Sequence, residues 1–238
     1  MNQSCFSKII FLLGLQLSSI LFTDLSYAQE DAKRDVPSFK MSGDVALLSN
    51  YIDHGLTQTN KDPSLQAAFS FNFGPQFRLG LWGSNVNFGS SEHFLLKMNA
   101  ELRVQLSPTT DFKFAFFDNR YFKSDTRSGN TMQALLSSHG YRIQYEGISN
   151  WEGTGGAATN YSFAKIFDVN TSWKWDNQVG YTMLSSDTYS NYFDVRSSFF
   201  YKGSNNIIYQ ISLSGTSSPS QFNGRGDIFP YVGASTSF

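Results

Sequence analysis

The chain has 238 residues, of which 16% are charged and 16% aromatic, and its formal net charge is −1. So many Phe and Tyr exclude a disordered chain, and near-neutrality leaves no long-range pull on nucleic acid. Mean hydropathy is nonetheless below zero. The one long apolar run is at the N-terminus, so a helical membrane protein is excluded as well.

In chain order, Lys8 precedes an apolar stretch, Ile9 to Leu25, that closes on Ser26-Tyr27-Ala28. A basic residue, an apolar run and small residues ahead of a cut are the pattern of a secretory signal peptide, here residues 1–28. A membrane anchor fits less well, because Gln16, Ser18, Ser19 and Asp24 interrupt the run. Cys5 lies ahead of the apolar stretch, so the mature chain carries no cysteine, disulfide or thiolate chemistry. Residues 29–38 read as a short flexible segment and residues 39–238 as a single domain.

That domain alternates with period two, the signature of strands with one apolar and one polar face. Phe94, Leu96, Met98, Leu102 and Val104 fall on one parity, and Lys97, Glu101 and Arg103 on the other. Leu95 is the exception on the polar side. Phe69 with Phe71, Leu79 with Leu81, Phe112 with Phe114, and Ile143 with Tyr145 repeat the apolar parity. So do Ile207, Tyr209, Ile211 and Leu213, and Val232 in the last strand. The pattern predicts strands near 39–51, 63–73, 76–86, 93–106, 111–121, 131–138, 140–150, 159–167, 170–183, 189–202, 205–216 and 226–238. The segment 159–167 fits least well, because Lys165 shares the parity of Tyr161, Phe163 and Phe167.

Long and short connections alternate along the whole chain, starting with a long one at Ile52 to Asp62 and a tight Gly74-Pro75 turn. A transmembrane barrel has short turns at one end and longer loops at the other. Strands of about 11 residues are long enough to cross an outer membrane when tilted. The predicted fold is therefore an all-β, antiparallel transmembrane β-barrel of about twelve strands; ten or fourteen fit the same pattern. The apolar residues named above face lipid, and Trp173 and Trp175 read as interface anchors. The terminal Phe238 resembles the insertion signal read by the barrel-assembly machinery of the outer membrane.

The inward parity carries Arg78, Lys97, Glu101, Arg103, Lys113, Arg142, Glu146, Lys174, Asp176, Asp194 and Arg196. Basic groups outnumber acidic ones, which predicts a mildly positive lumen. Such a lining suits passage of ions or small polar solutes. A barrel closed by its own ion pairs, displaying loops as an adhesin or receptor, is the alternative. A lipid hydrolase would need His, Ser and carboxylate together at the outer rim. His54 and His93 lie in or beside outer loops near Ser49, Asp53 and Glu92, and His139 in a short turn, but the sequence forms no recognisable catalytic motif. No metal-ligand spacing occurs, and no cofactor is called for. The Gly153-Thr154-Gly155-Gly156 run lacks the Lys of a phosphate loop, and Arg225-Gly226-Asp227 is an adhesion tripeptide by letter alone.

One segment carries a family resemblance. It reads Ser49-Asn50-Tyr51-Ile52-Asp53-His54-Gly55-Leu56-Thr57-Gln58, with Pro63 and Gln66 after it, then Gly80-Leu81-Trp82-Gly83-Ser84-Asn85. This resembles the TorF family of porins, also called the Gcw_chp family, whose pattern runs Ser-x-Tyr-x-x-Arg-Gly-x-Ser-Gln, Pro-x-x-Gln and Gly-x-Trp-x-Ser-Asn. The match covers about 44 residues, and His54 stands where the family usually has Arg. The resemblance implies an outer-membrane barrel, a pore function and no catalytic mechanism.

Overall fold

The computed structural model describes residues 39–123, 125–185, 188–203 and 206–238. The expected signal peptide, its cut site and the lead-in up to residue 38 lie outside the described residues. Among the described residues, twelve strands close into one antiparallel barrel. Its wall is built from β1 (Phe39–Leu48), β4 (Ser64–Phe73), β5 (Phe77–Asn85), β6 (Phe94–Ser107), β7 (Thr110–Phe122) and β8 (Gly129–Ser138). The circuit continues through β9 (Tyr141–Ile148), β10 (Ala158–Asp168), β11 (Trp173–Leu184), β12 (Tyr192–Lys202), β13 (Ile208–Thr216) and β14 (Phe229–Ser237). The remaining two strands, β2 (Ile52–Asp53) and β3 (Leu56–Thr57), form a separate small hairpin.

Each wall strand pairs with the next, and β14 returns to β1 with Asp44 opposite Ser237. Gly43 and Phe238 exchange two backbone hydrogen bonds of 2.9 Å that secure this seam. Closure leaves no edge of unpaired backbone in an apolar medium. The described residues of the connections 49–63, 86–93, 123–128, 149–157, 185–191 and 217–228 gather at one end, here called outer. The connections 74–76, 108–109, 139–140, 169–172 and 203–207 lie at the inner end.

The alternation of the sequence becomes two surfaces. Cross-strand partners in an antiparallel pair share a face, and Phe69 pairs with Leu81, which pairs with Met98. All three are exposed, as are Leu79, Phe94, Leu102, Val104, Phe112, Phe114, Ile143, Tyr145, Tyr209, Ile211, Leu213 and Val232. Phe71 and Leu96 share that face and are half-buried among their neighbours. Ile207 departs from the expected pattern: the Gly203 amide donates to its carbonyl (2.8 Å), which holds it in the inner turn before β13 rather than on the wall.

Among the described residues, the interior has two small apolar clusters, both near the outer end. One joins Tyr51, Val86 and Leu95. The other joins Leu56, Trp151, Ala158, Tyr192 and Phe222. Leu95, apolar on the polar face of β6, is thereby accounted for: Tyr51, from the chain after β1, packs against it. The first strand, expected to run to 51, ends at Leu48, and the first outer loop turns into the barrel instead of projecting from it.

Candidate functional site

The inward turn begins with local chemistry. His54 and Gly55 occupy the two central positions of the hairpin, with φ of 46° and 75°. Two left-handed residues in a two-residue loop are the demand of a type I′ turn, which matches the twist of the strands it joins. The Asn50 carboxamide oxygen accepts from Thr57 Oγ1 (2.5 Å) and Thr59 Oγ1 (3.1 Å), and the Gln58 amide donates to the Tyr51 carbonyl (2.7 Å). Thr57 and Thr59 are fully buried, so these bonds satisfy polar groups that water cannot reach. A Cβ at Gly55 would stand 2.7 Å from Thr216 and 2.8 Å from Asp194, so the hairpin touches the β12–β13 wall through bare backbone.

His54 is placed between carboxylates. Its Nε2 lies 3.0 Å from Glu146 Oε2 on β9 and 3.7 Å from Asp53 Oδ1. Burial alone would lower the imidazole pKa, but Asp53 and Glu146, with Asp194 beyond, raise it to about 10. The ring is therefore a cation at neutral pH. Asp53 in turn sits 3.4 Å from the ammonium of Lys97 on β6. Burial works against the Asp53 anion, yet Lys97 and His54 hold its pKa well below the usual carboxylate range. Two cavities meet at this tip. The outer one, about 170 Å³, borders Lys97, Tyr121, Gln133 and Glu152. The inner one, about 210 Å³, borders Arg142, Gln144, Gln178 and Arg196. Asp53, His54 and Glu146 line both.

Above the hairpin, the outer loops converge on Glu152. Its carboxylate accepts from Arg225 Nη2 (2.7 Å), Arg127 Nη1 (2.9 Å) and Gln58 Nε2 (3.1 Å). The two guanidiniums flank the Phe88 ring at 3.9 Å and 4.9 Å from its centroid. Burial would raise the Glu152 pKa, but Arg225 and Arg127 lower it. Five connections thus contribute to one buried charge cluster. The Gly153–Gly156 run serves this arrangement, since Trp151 N donates to the Gly156 carbonyl (2.8 Å) and turns the loop back on itself. Arg225 is spent here, so the Arg-Gly-Asp tripeptide does not present its arginine outward.

Below the hairpin, most inward charges are paired. Arg142 donates two bonds to Asp176 (2.7 and 2.8 Å), and Arg196 reaches the same carboxylate at 3.5 Å. Lys113 lies 3.5 Å from Glu101, and Arg103 lies 3.2 Å from Asp111. Lys174 meets Asp168 at 3.3 Å on the exposed inner rim. Arg78 donates through Nε to Ser70 Oγ (2.9 Å). Asp194 is buried beneath the hairpin. Sequence reasoning named Asp53 only as a carboxylate near His54 for a hydrolase, and missed Asp111 and Glu152, which also balance the basic lining; inward parity could have found Asp111, but Glu152 belongs to a loop.

The histidines remain apart in role. His54 contacts carboxylates. His93 is exposed, and its ring lies 3.4 Å from the Ser91 carbonyl. His139 contacts the adjacent Ser138 hydroxyl (2.9 Å) in an inner turn. The Ser49 hydroxyl lies at the seam instead, where it accepts from the Val232 amide (3.0 Å).

Residues 32–118 match the model of a family described as "Bacterial protein of unknown function (Gcw_chp)". No curated protein matches the chain. Among solved structures it is similar to the NanC porin (TM-score 0.58, 11% identity, covering 82% of this chain and 98% of that one). It is equally similar to the KdgM porin (TM-score 0.58, 10% identity, 83% and 99%). LpxR from Salmonella typhimurium follows (TM-score 0.50, 9% identity, 83% and 99%). At such identities the likeness is one of fold. The matched family segment contains the luminal hairpin, and the closed wall resembles those of the porins in fold.

Proposed function

We propose that this chain is an outer-membrane channel for ions and small polar solutes, narrowed by its own first outer loop. The observation that supports it is the pair of polar cavities meeting at the His54–Glu146 contact. A merely structural filling would favour apolar packing there, because buried ion pairs add little net stability over well-packed apolar groups. Charged residues around a wet lumen instead govern what passes. In this reading Arg78, Lys97, Glu101, Arg103, Lys113, Arg142, Glu146, Lys174, Asp176, Asp194 and Arg196 line the pore, and the exposed apolar residues meet lipid.

Two guanidiniums, Arg142 and Arg196, share the carboxylate of Asp176, and Asp53, Glu146 and Asp194 line the same inner cavity, so its charges are close to balanced. Along the whole lumen the basic lining residues still outnumber the acidic ones, seven to six with Asp53 and Asp111 counted, and a mild preference for anions is expected on this reading. A KdgM porin structure is described in complex with disordered oligogalacturonate, and that polyanion is a sensible first blocker to try. The test is single-channel recording of refolded residues 29–238 in a planar bilayer under a salt gradient. Discrete steps with an anion-side reversal potential are expected, and Arg142→Glu should move that potential towards cations. A folded, inserted barrel that passes no current would sink the channel reading.

A second reading has an observation of its own. The Glu152 cluster ties the outer loops together over the hairpin, as a permanently closed barrel would require. Silence in wild type that persists after the hairpin is removed would favour it.

A further inference from the structure

Lys165 is the odd residue of the outer wall. It lies on the parity of Tyr161, Phe163 and Phe167, which are exposed on the apolar face. Among the described residues it is the one cation facing outward from the wall without a carboxylate partner. The other outward cation, Arg120, is held by Asp118 (3.0 Å) near the outer end of β7. Lys165 lies three residues from the inner end of β10. Its ammonium donates to the His139 carbonyl in an inner turn (2.8 Å) and stands over the Tyr141 ring, 3.6 Å from the centroid. A lysine on a lipid-facing surface bends its head to the interface in this way.

It is not isolated. Lys165 pairs across the sheet with Asn177, and Asn177 with Ser197, on the same face. Trp175 Nε1 donates to Ser197 Oγ (2.9 Å), which donates to Asn177 Oδ1 (2.9 Å). This chain of bonds uses the acceptors of the island. The amide nitrogen of Asn177 takes no part in it, and an ammonium has three donors, so the groups left over are donors. The island is one end of an outward groove of about 520 Å³, lined there by Lys165, Asn177 and Ser197, that runs towards the outer end past Phe163, Val179, Val195, Leu213 and Ile228.

We propose that this island and groove hold one phospholipid of the leaflet nearer the short turns. Its phosphate accepts from Lys165 and Asn177, and one acyl chain lies along Val179, Val195, Leu213 and Ile228. The charges are complementary, and the order is right: a head group at the inner interface with its tail rising towards the bilayer centre. A second copy of the chain fits less well. The outward carboxylate Asp118 is already held by Arg120 and lies towards the opposite end of the wall.

The test is lipid retention by the detergent-purified barrel in native mass spectrometry, titrated with phosphatidylglycerol. One tightly held lipid per barrel is expected. Lys165→Leu with Asn177→Leu should weaken it at least about fivefold, the weight of one basic residue at an anionic lipid surface. Val195→Trp should fill the groove and weaken it while leaving the island intact. Arg120→Gln should change nothing. Heat-modifiable migration on gels checks that each variant folds. Equal retention by wild type, the double variant and Val195→Trp would mean annular lipid only and would overturn the site. Displacement by glycerol 3-phosphate alone would make it an anion site without a lipid, and displacement by diacylglycerol alone a groove without a head-group site; either result overturns the proposal.

Discussion

The two ends of the lumen are built on opposite principles. At the outer end, loops interlock: the hairpin is buried against β9 and β12, two apolar clusters brace it, and Glu152 gathers two arginines and a glutamine. At the inner end the turns are short, and the charges sit on the strands themselves in pairs such as Arg103–Asp111. Outer charges are held by loops that interlock, whereas inner charges are held by the strands of the wall. On the proposed channel reading, the contrast assigns gating to the outer end and selectivity to the inner one.

The strongest way to break this division is to remove the hairpin. Replacing residues 50–59 by a Gly-Ser linker should raise unitary conductance several-fold while leaving ion preference nearly unchanged. Unchanged conductance would show that the hairpin is no barrier. Next in size is Glu152→Ala, which strands the guanidinium of Arg225 and leaves Arg127 with the Glu92 carboxylate, 3.9 Å from its Nε. Uncompensated buried charges of this kind cost about 3–5 kcal/mol. Limited proteolysis within 217–228 should accelerate sharply, and resistance equal to wild type would refute the hub.

Gly55→Val acts on the hairpin alone. It forces a β-branched residue to positive φ and drives a Cβ against Thr216 and Asp194, at a cost of about 1–3 kcal/mol. Faster hydrogen exchange at the Thr57 and Gln58 amides, with wall amides unaffected, is the expected readout. A pH series sharpens the same point. The raised pKa of His54 means that its contribution is complete below its ordinary value of about 6.5. That contribution is lost as pH climbs through about 10. Hairpin amides should therefore exchange faster across that window than the intrinsic pH dependence allows, and His54→Gln should abolish the extra step. The smallest effect is expected at Arg103, whose side chain is 57% exposed beside Asp111. Arg103→Glu should shift the reversal potential in the same direction as Arg142→Glu but by less, since solvent screens the exposed site. A larger shift at Arg103 would move the selectivity determinant to the inner mouth.

The wall was legible because strand alternation is a local property. Lys97, Glu101 and Arg103 declare their face by parity with Phe94 and Met98, with no knowledge of what they will meet. Even the misfits were visible as misfits: Leu95 and Lys165 break the rule of their strands, and each marks a place where something else packs or binds. The hairpin was less legible. His-Gly occurs twice, at 139–140 and at 54–55, and both pairs adopt the left-handed turn. The first lies between two long alternating strands and reads as an inner turn. The second has only Ile52-Asp53 and Leu56-Thr57 beside it, too little alternation to separate a hairpin from an open loop.

Sequence alone determined the barrel, a strand number near twelve with ten and fourteen left open, and which end holds the long loops, because closure follows from alternation and connection length. Only the tertiary structure decided what fills the lumen. His54 reaches Glu146, and Arg225 reaches Glu152, across 92 and 73 positions of sequence. Such contacts depend on where a closed wall brings distant loops, and no local pattern of residues encodes that distance.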